Sequence, residues 1–449
     1  MGLRSSVLVV ALVAFAFTAA PVTLPRGAEG DLQAPTCSGA APPPPSARDV
    51  AALDREPVLA NSWIQRSDTN QLSWVDPVTL RPVSDRVVPL GNQNGAPHVF
   101  SPDGSQLAIG ALSRLQLVDL EGMKRLWSLP LAGRALVAGA WFRDDLLTTV
   151  LIENGEPWRM SLVHLDPLAG DEVERIPLEG APVGAGRLAD LLVLLLQPPY
   201  SAVGLAPATL VTIDRDGRVR QTTLELISAG FDPQGEDPDD DVGFQVTPGL
   251  AVDPDGRRAF VVGAGEPVAE VDLDDLEVEY HWPAEDRALF AGLLPAAEAK
   301  IADHRLRRAV WLGDGLLAVS GHDWEITGIG RDGKEFGRPA GVTIIDTRTW
   351  TKCALTRGMS LIAEAGGLLL AHNSFLGTCD QKGNGVAAYG RDGAKRWHLL
   401  EEEWVDLQVA GPYAYAATSC ARWRVSVIDL VSGEVINENG RRPPAILSP

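Results

Sequence analysis

The sequence predicts an all-β protein, a β-propeller of seven or eight four-stranded blades, and three observations carry that reading. Hydrophobic residues at 45% and charged residues at 22% are those of a folded globular chain. Gly 45 and Pro 33 together make about a sixth of the 449 residues, as many tight turns between short strands require. A unit made of an aliphatic or aromatic β-former, an Asp, a turn and a second short strand recurs eight times. One twisted sheet cannot bury both of its faces alone, whereas a ring of sheets buries each against its neighbours.

Taken along the chain, residues 1–28 read as a signal peptide or N-terminal anchor. Residues 7–20 are uncharged and almost wholly apolar, follow Arg4, and end on small residues. The run is short for a bilayer span of about 20 residues, and an uncleaved anchor is the alternative. Cys37 lies too far past it for a lipidated cysteine. Residues 29–52 form a Pro/Ala-rich linker, with Pro42 to Pro45 favouring an extended tether, and 53–449 is the propeller.

The repeat anchors are Val75-Asp76, Val118-Asp119, Leu165-Asp166, Ile213-Asp214, Val271-Asp272, Ile345-Asp346, a degenerate Tyr389-Gly390, and Ile428-Asp429. Their spacings of 43, 47, 48, 58, 74, 44 and 39 lie near the roughly 40 to 45 residues of a WD-like blade wherever no insertion intervenes. Turns such as Ser101-Pro102-Asp103-Gly104, Asp253-Pro254-Asp255-Gly256 and Gly313-Asp314-Gly315 join the first two strands of a unit. The first unit lacks an inner strand. Ala445-Ile446-Leu447 can supply it and close the ring; otherwise seven blades remain with one hairpin outside. Between 284 and 307, Leu289, Leu293, Ala296, Ala297, Lys300 and Ile301 fall at helical spacing and predict a short helical insertion.

The stretch Val99-Phe100-Ser101-Pro102-Asp103-Gly104-Ser105-Gln106-Leu107-Ala108 resembles the repeat of TolB-type periplasmic propellers. Residues 252–272 and 425–433 resemble repeats of surface YVTN-type propellers, and Gly393-Ala394-Lys395-Arg396-Trp397 is similar to a quinoprotein-like outer strand. Each resemblance covers a single blade and implies an exported bacterial fold, with no active residue to carry over.

A formal charge of -20 repels phosphate backbones and excludes nucleic acid as a partner. Strand assignment sends the long segments 197–207, 231–245, 284–307, 322–340 and 375–384 to one face, and long loops on a rigid scaffold are where binding resides. Candidate binding residues there are His322, Asp323, Trp324, His372 and Asn373, at the exits of two second strands. A His beside an Asp is a candidate general base, but neighbours on a strand point apart, which favours a structural His. Trp74, Trp127, Trp350 and Trp397 sit at strand positions and read as packing, while Trp324 and Trp158 fall on loops.

Asp237, Asp239 and Asp241, followed by Gly243, half-resemble a calcium loop. The glycine comes one place late and Pro248 stands where the bidentate Glu belongs, so a solvated acidic loop is the reading; calcium is the one ion considered, and no cofactor is expected. Four cysteines suit an oxidising compartment, with Cys379 paired to Cys420 and, more weakly, Cys37 to Cys353. No nucleophile-elbow, zincin, phosphate-loop or Cys-x-x-Cys pattern occurs. The expected function is therefore a secreted, monomeric, non-catalytic propeller that binds a protein, glycan or envelope component through its loop-rich face and meets membrane only through its N-terminal segment. The alternatives are a propeller enzyme, lactonase-like or quinoprotein-like, with its site at the channel mouth, and a TolB-like envelope assembly factor.

Overall fold

The computed structural model describes residues 56–64, 69–91, 97–110, 114–130, 135–143, 145–153, 159–198, 204–233, 243–285, 304–327, 334–373, 382–418, 423–440 and 442–447. These form β-strands and turns, and among them no helix is long and apolar enough to cross a membrane. Six sheets have four strands each and one has ten. A typical four-stranded sheet runs in chain order and antiparallel, as in His98–Phe100, Gln106–Gly110, Arg114–Asp119 and Lys124–Pro130.

The first sheet departs from chain order, since Ala445–Leu447 forms its inner strand beside Val58–Ile64, in register Leu59↔Leu447 and Asn61↔Ala445. Residues near the two ends of the propeller chain thus share one sheet, the first of the two outcomes that the incomplete first repeat left open.

The ten-stranded sheet holds two antiparallel runs. One is Ala181–Arg187, Leu191–Gln197, Gly204–Asp214 and Val219–Pro233; the other is His304–Gly313, Leu316–Thr327, Lys334–Asp346 and Thr351–Thr356. Gly243–Thr247 joins them, antiparallel to the first run and parallel to the second. Seven or eight separate blades are therefore not what the strand pairing displays, because strands of two units run on past their blades and are joined through Gly243–Thr247. The helical insertion also needs correction at its ends. Ala284–Glu285 lies parallel against Thr351–Thr356, and residues 304–307 pair with 321–324. Extended backbone held on a sheet edge cannot take helical dihedrals, and the residues at helical spacing, 289–301, lie outside the described residues.

The repeat has a local chemical cause. Each anchor ends the third strand of its unit, and the Asp carboxylate accepts backbone N–H groups of the turn that follows: Val78 and Thr79 on Asp76, Leu168 and Ala169 on Asp166, Asp274 and Asp275 on Asp272, Val431 and Ser432 on Asp429, at 2.6–3.4 Å. Four residues after the Asp the chain turns left-handed, at Leu80, Gly170, Leu276, Trp350 and Gly433, with its N–H on the anchor carbonyl. In the degenerate unit Asp392 takes over, accepting from the Ala394 N–H at 3.1 Å. The carbonyl just after an anchor then receives an indole N–H from the preceding unit: Trp74 to Leu120 O, Trp127 to Pro167 O and Trp397 to Leu430 O, at 2.7–3.2 Å. Glycine makes room for the ring, since a Cβ on Gly433 would stand 2.5 Å from Trp397 Cγ.

Leu191–Gln197 shows why the strands read as unbroken apolar runs. Every residue is buried; Val193 and Leu195 pack toward Ala259, Val261 and Val271, while Leu192, Leu194 and Leu196 pack toward Ala140, Val150 and Leu162. At the inner strands the blades meet through glycine: a Cβ on Gly186 would stand 2.4 Å from Val252, and one on Gly249 within 2.8 Å of the Arg308–Ala309 backbone.

Candidate functional site

The second-strand ends Gln197, Thr327 and His372 and the fourth-strand end Pro233 lie at one end of the ring by strand order. Part of what reads as loop in the sequence is strand. Leu316–Thr327 stays paired with Lys334–Asp346 through Thr327↔Lys334, with a register shift between Gly321 and His322 where the strands leave the blade. His322, Asp323 and the Trp324 backbone thus lie on a projecting hairpin and not on a loop. This extension and Gly243–Thr247 build a sheet that bridges the two units flanking Gly249–Asp253. It is stitched to the turn beneath it by Arg305 Nη1 on Ala264 O at 3.3 Å and by the Ser228 N–H on Glu266 at 3.1 Å.

The predicted residues divide. Asp323 takes Arg307 Nη1 at 2.7 Å, while His322, on the other face of its strand, is buried. Burial, aided by the Arg307 charge and opposed by Asp323, holds the His322 imidazole down at a pKa of about 4. The two do not form an acid–base pair, for the pleat separates them.

His372 is buried too, with Nδ1 2.9 Å from Val405 O; burial and, more weakly, the Arg308 cation push its pKa down to about 4. Asn373 accepts from the Ser360 N–H at 2.8 Å and donates to Gly358 O at 2.6 Å, and its own carbonyl takes the Val405 N–H at 2.9 Å. These groups pin Leu361–Ala365 and its sheet to the next one, a structural duty. Asp237, Asp239 and Asp241 and the cysteines Cys37, Cys379 and Cys420 lie outside the described residues, whereas Cys353 is buried and disulfide-bonded.

Sequence reasoning missed the charges on the inner strands. Arg307 and Arg308 are successive residues of His304–Gly313, so their side chains leave on opposite faces. Arg307 is neutralised by Asp323. Arg308 is solvent-exposed, has no acidic partner within ion-pair distance among the described residues, and is so surrounded by protein that burial lowers its guanidinium pKa. Asp406, first residue of the inner strand Asp406–Ala410, is likewise exposed, with its carboxyl pKa pushed up by burial. Charged residues within predicted inner strands, Arg308 in His304–Gly313 and Asp406 in Asp406–Ala410, were the available signal.

No protein-family profile and no curated protein matches this chain. Among solved structures it is similar to the dihydro-heme d1 dehydrogenase NirN in complex with DHE, at 15% identity and a TM-score of 0.53, covering 92% of this chain and 78% of that one. The fold is a β-propeller. BamB from Moraxella catarrhalis matches at 13% identity and a TM-score of 0.44, over 80% of this chain and 96% of that one. A europium-containing methanol dehydrogenase matches at 12% and 0.39, over 86% and 77%. At these identities the likeness is one of fold.

Proposed function

We propose that this protein is an exported propeller that binds a protein, glycan or envelope component through its loop-rich end. The observation that carries the reading is Arg308, an exposed inner-strand cation with no acidic partner within ion-pair distance among the described residues, beside a sheet that spans two units at that same end. A desolvated, uncompensated guanidinium is an anchor for a carboxylate or other polar anionic group of a ligand. In this reading the ten-stranded sheet counts as two bridged blades, giving eight. Residues 1–28 act as signal or anchor, 29–52 as linker, and the protein works as a secreted or N-terminally anchored monomer.

The test is site-specific photo-crosslinking in intact cells. A crosslinker at Asp323 or Arg308 should capture one saturable envelope partner, Arg308→Glu should weaken capture from position 323 several-fold, and a crosslinker at Thr349, in the turn at the other end, should capture nothing. Capture from Thr349 alone, or a protein found in the cytosol, would overturn the proposal. Turnover of a lactone or alcohol substrate abolished by Arg308→Glu would instead establish the enzyme reading, and capture of outer-membrane assembly machinery the TolB-like one.

A further inference from the structure

We propose that Glu270, Glu279 and His281 form a binding site for a divalent transition-metal ion such as zinc, on the outer strands of the sheet that begins with Gly249–Asp253. The site is separate from the loop-bearing end and stands whether or not the proposed function holds.

Glu270 on Val268–Asp272 lies directly opposite Glu279 on Val278–His281. Like charges directly opposite each other destabilise a sheet, so the pair calls for a compensating cation. His281 is two residues beyond Glu279 and therefore on the same face. Its Nε2 lies 3.1 Å from Glu270 Oε2 and 3.6 Å from Glu279 Oε2, and one ligand atom from each residue falls within 4.8 Å of the others. A tetrahedral ion with N and O ligands at about 2.0–2.2 Å places them roughly 3.4 Å apart, close to this arrangement. Only Glu279, whose side chain is 77% exposed, must rotate to complete it.

The surroundings hold these groups ready. Arg258 binds Glu270 Oε1 at 2.7 Å, which leaves Oε2 turned toward His281, and its other arm holds the buried Asp253 at 3.1 Å. Such outer contacts orient metal ligands and commonly carry ten- to a hundred-fold in affinity. Trp350 stacks on the imidazole, ring centroids 3.8 Å apart and planes 8° apart, fixing the direction in which Nε2 points. With a neutral imidazole, as ligation requires, three carboxylates face one guanidinium and two negative charges remain, which a divalent ion cancels. Three protein ligands leave a fourth position for water or a donor from a bound partner.

The test is calorimetric titration of chelator-treated protein with Zn²⁺, together with visible absorption of the Co²⁺ form. One equivalent should bind saturably, with the intense visible bands of tetrahedral cobalt. His281→Ala should lose at least thirty-fold in affinity, and Glu279→Gln, at an exposed position that leaves the fold intact, about ten-fold. Asp239→Asn in the acidic loop should bind as the parent does. Absence of saturable Zn²⁺ binding, affinity unchanged in both Glu279→Gln and His281→Ala, or affinity lost in Asp239→Asn would overturn the site.

Discussion

Shortening Leu447 to alanine tests whether the last strand closes the ring. Leu447 is 6% exposed and packs with Leu59, Leu72, Val88 and Leu90 of the first sheet and Phe100 and Leu107 of the next, so the lost methyl groups leave a cavity between two sheets that already meet there. Large-to-small changes at such sites cost about 2–5 kcal/mol. Unfolding entropy of about 2.1 cal/mol/K per residue over roughly 390 residues gives about 0.8 kcal/mol/K, so Tm should fall by about 3–6 °C. A harsher change, Ile446→Pro, removes the N–H that donates to Gln408 Oε1 at 2.5 Å and should cost more. Leu168→Ala, at a position 80% exposed, is the control and should move Tm by less than about 1 °C, since surface changes stay within about 0.5 kcal/mol. Thermal melts followed by near-UV circular dichroism at one scan rate would measure all three. If Leu447→Ala melts with the control, the C-terminal strand does not hold the ring, and the register Leu59↔Leu447 is wrong.

Three other outcomes are expected. Gly433→Ala, at φ +73° with its Cβ against Trp397, should lose about 2–4 kcal/mol in urea unfolding from strain plus overpacking, whereas Gly411→Ala, at φ +56° in open space, should lose only about 1; equal losses would show the Trp397 contact to be loose. His372, with a folded pKa of about 4 against about 6.5 unfolded, contributes stability that is complete above pH 6.5 and lost as pH falls toward 4, by up to roughly 3 kcal/mol. The slope of stability against pH in that window should flatten in His372→Gln, and an unchanged slope would refute the assignment. Peptide mapping of unreduced protein should give a Cys379 to Cys420 link and assign disulfide-bonded Cys353 to Cys37; a Cys353 to Cys420 link would show that the blades carrying them are wrongly placed.

What the sequence by itself determined is what local chemistry dictates. An Asp at the end of a strand cups the N–H groups of its own turn, so the repeated anchors mark where third strands end; Leu191–Gln197 is apolar throughout because both its faces are covered; and the first repeat, one strand short, offered Ala445–Leu447 as one way to complete it. The candidate site was legible only as an end of the ring. His322 and His372 were found and read as structural, but how far each is buried is set by the tertiary packing, and that burial, with smaller contributions from the Arg307 and Arg308 charges, is what lowers their pKa. Only the tertiary structure decided that two units fuse through Gly243–Thr247, because strand pairing across more than fifty residues is set by which edges meet in space. The same holds for Glu270 opposite Glu279, which depends on register, and for Arg308, whose desolvation is set by everything packed around it. A turn closes within a few residues and so is written locally, whereas a site is an intersection of strands whose spacing no single segment encodes.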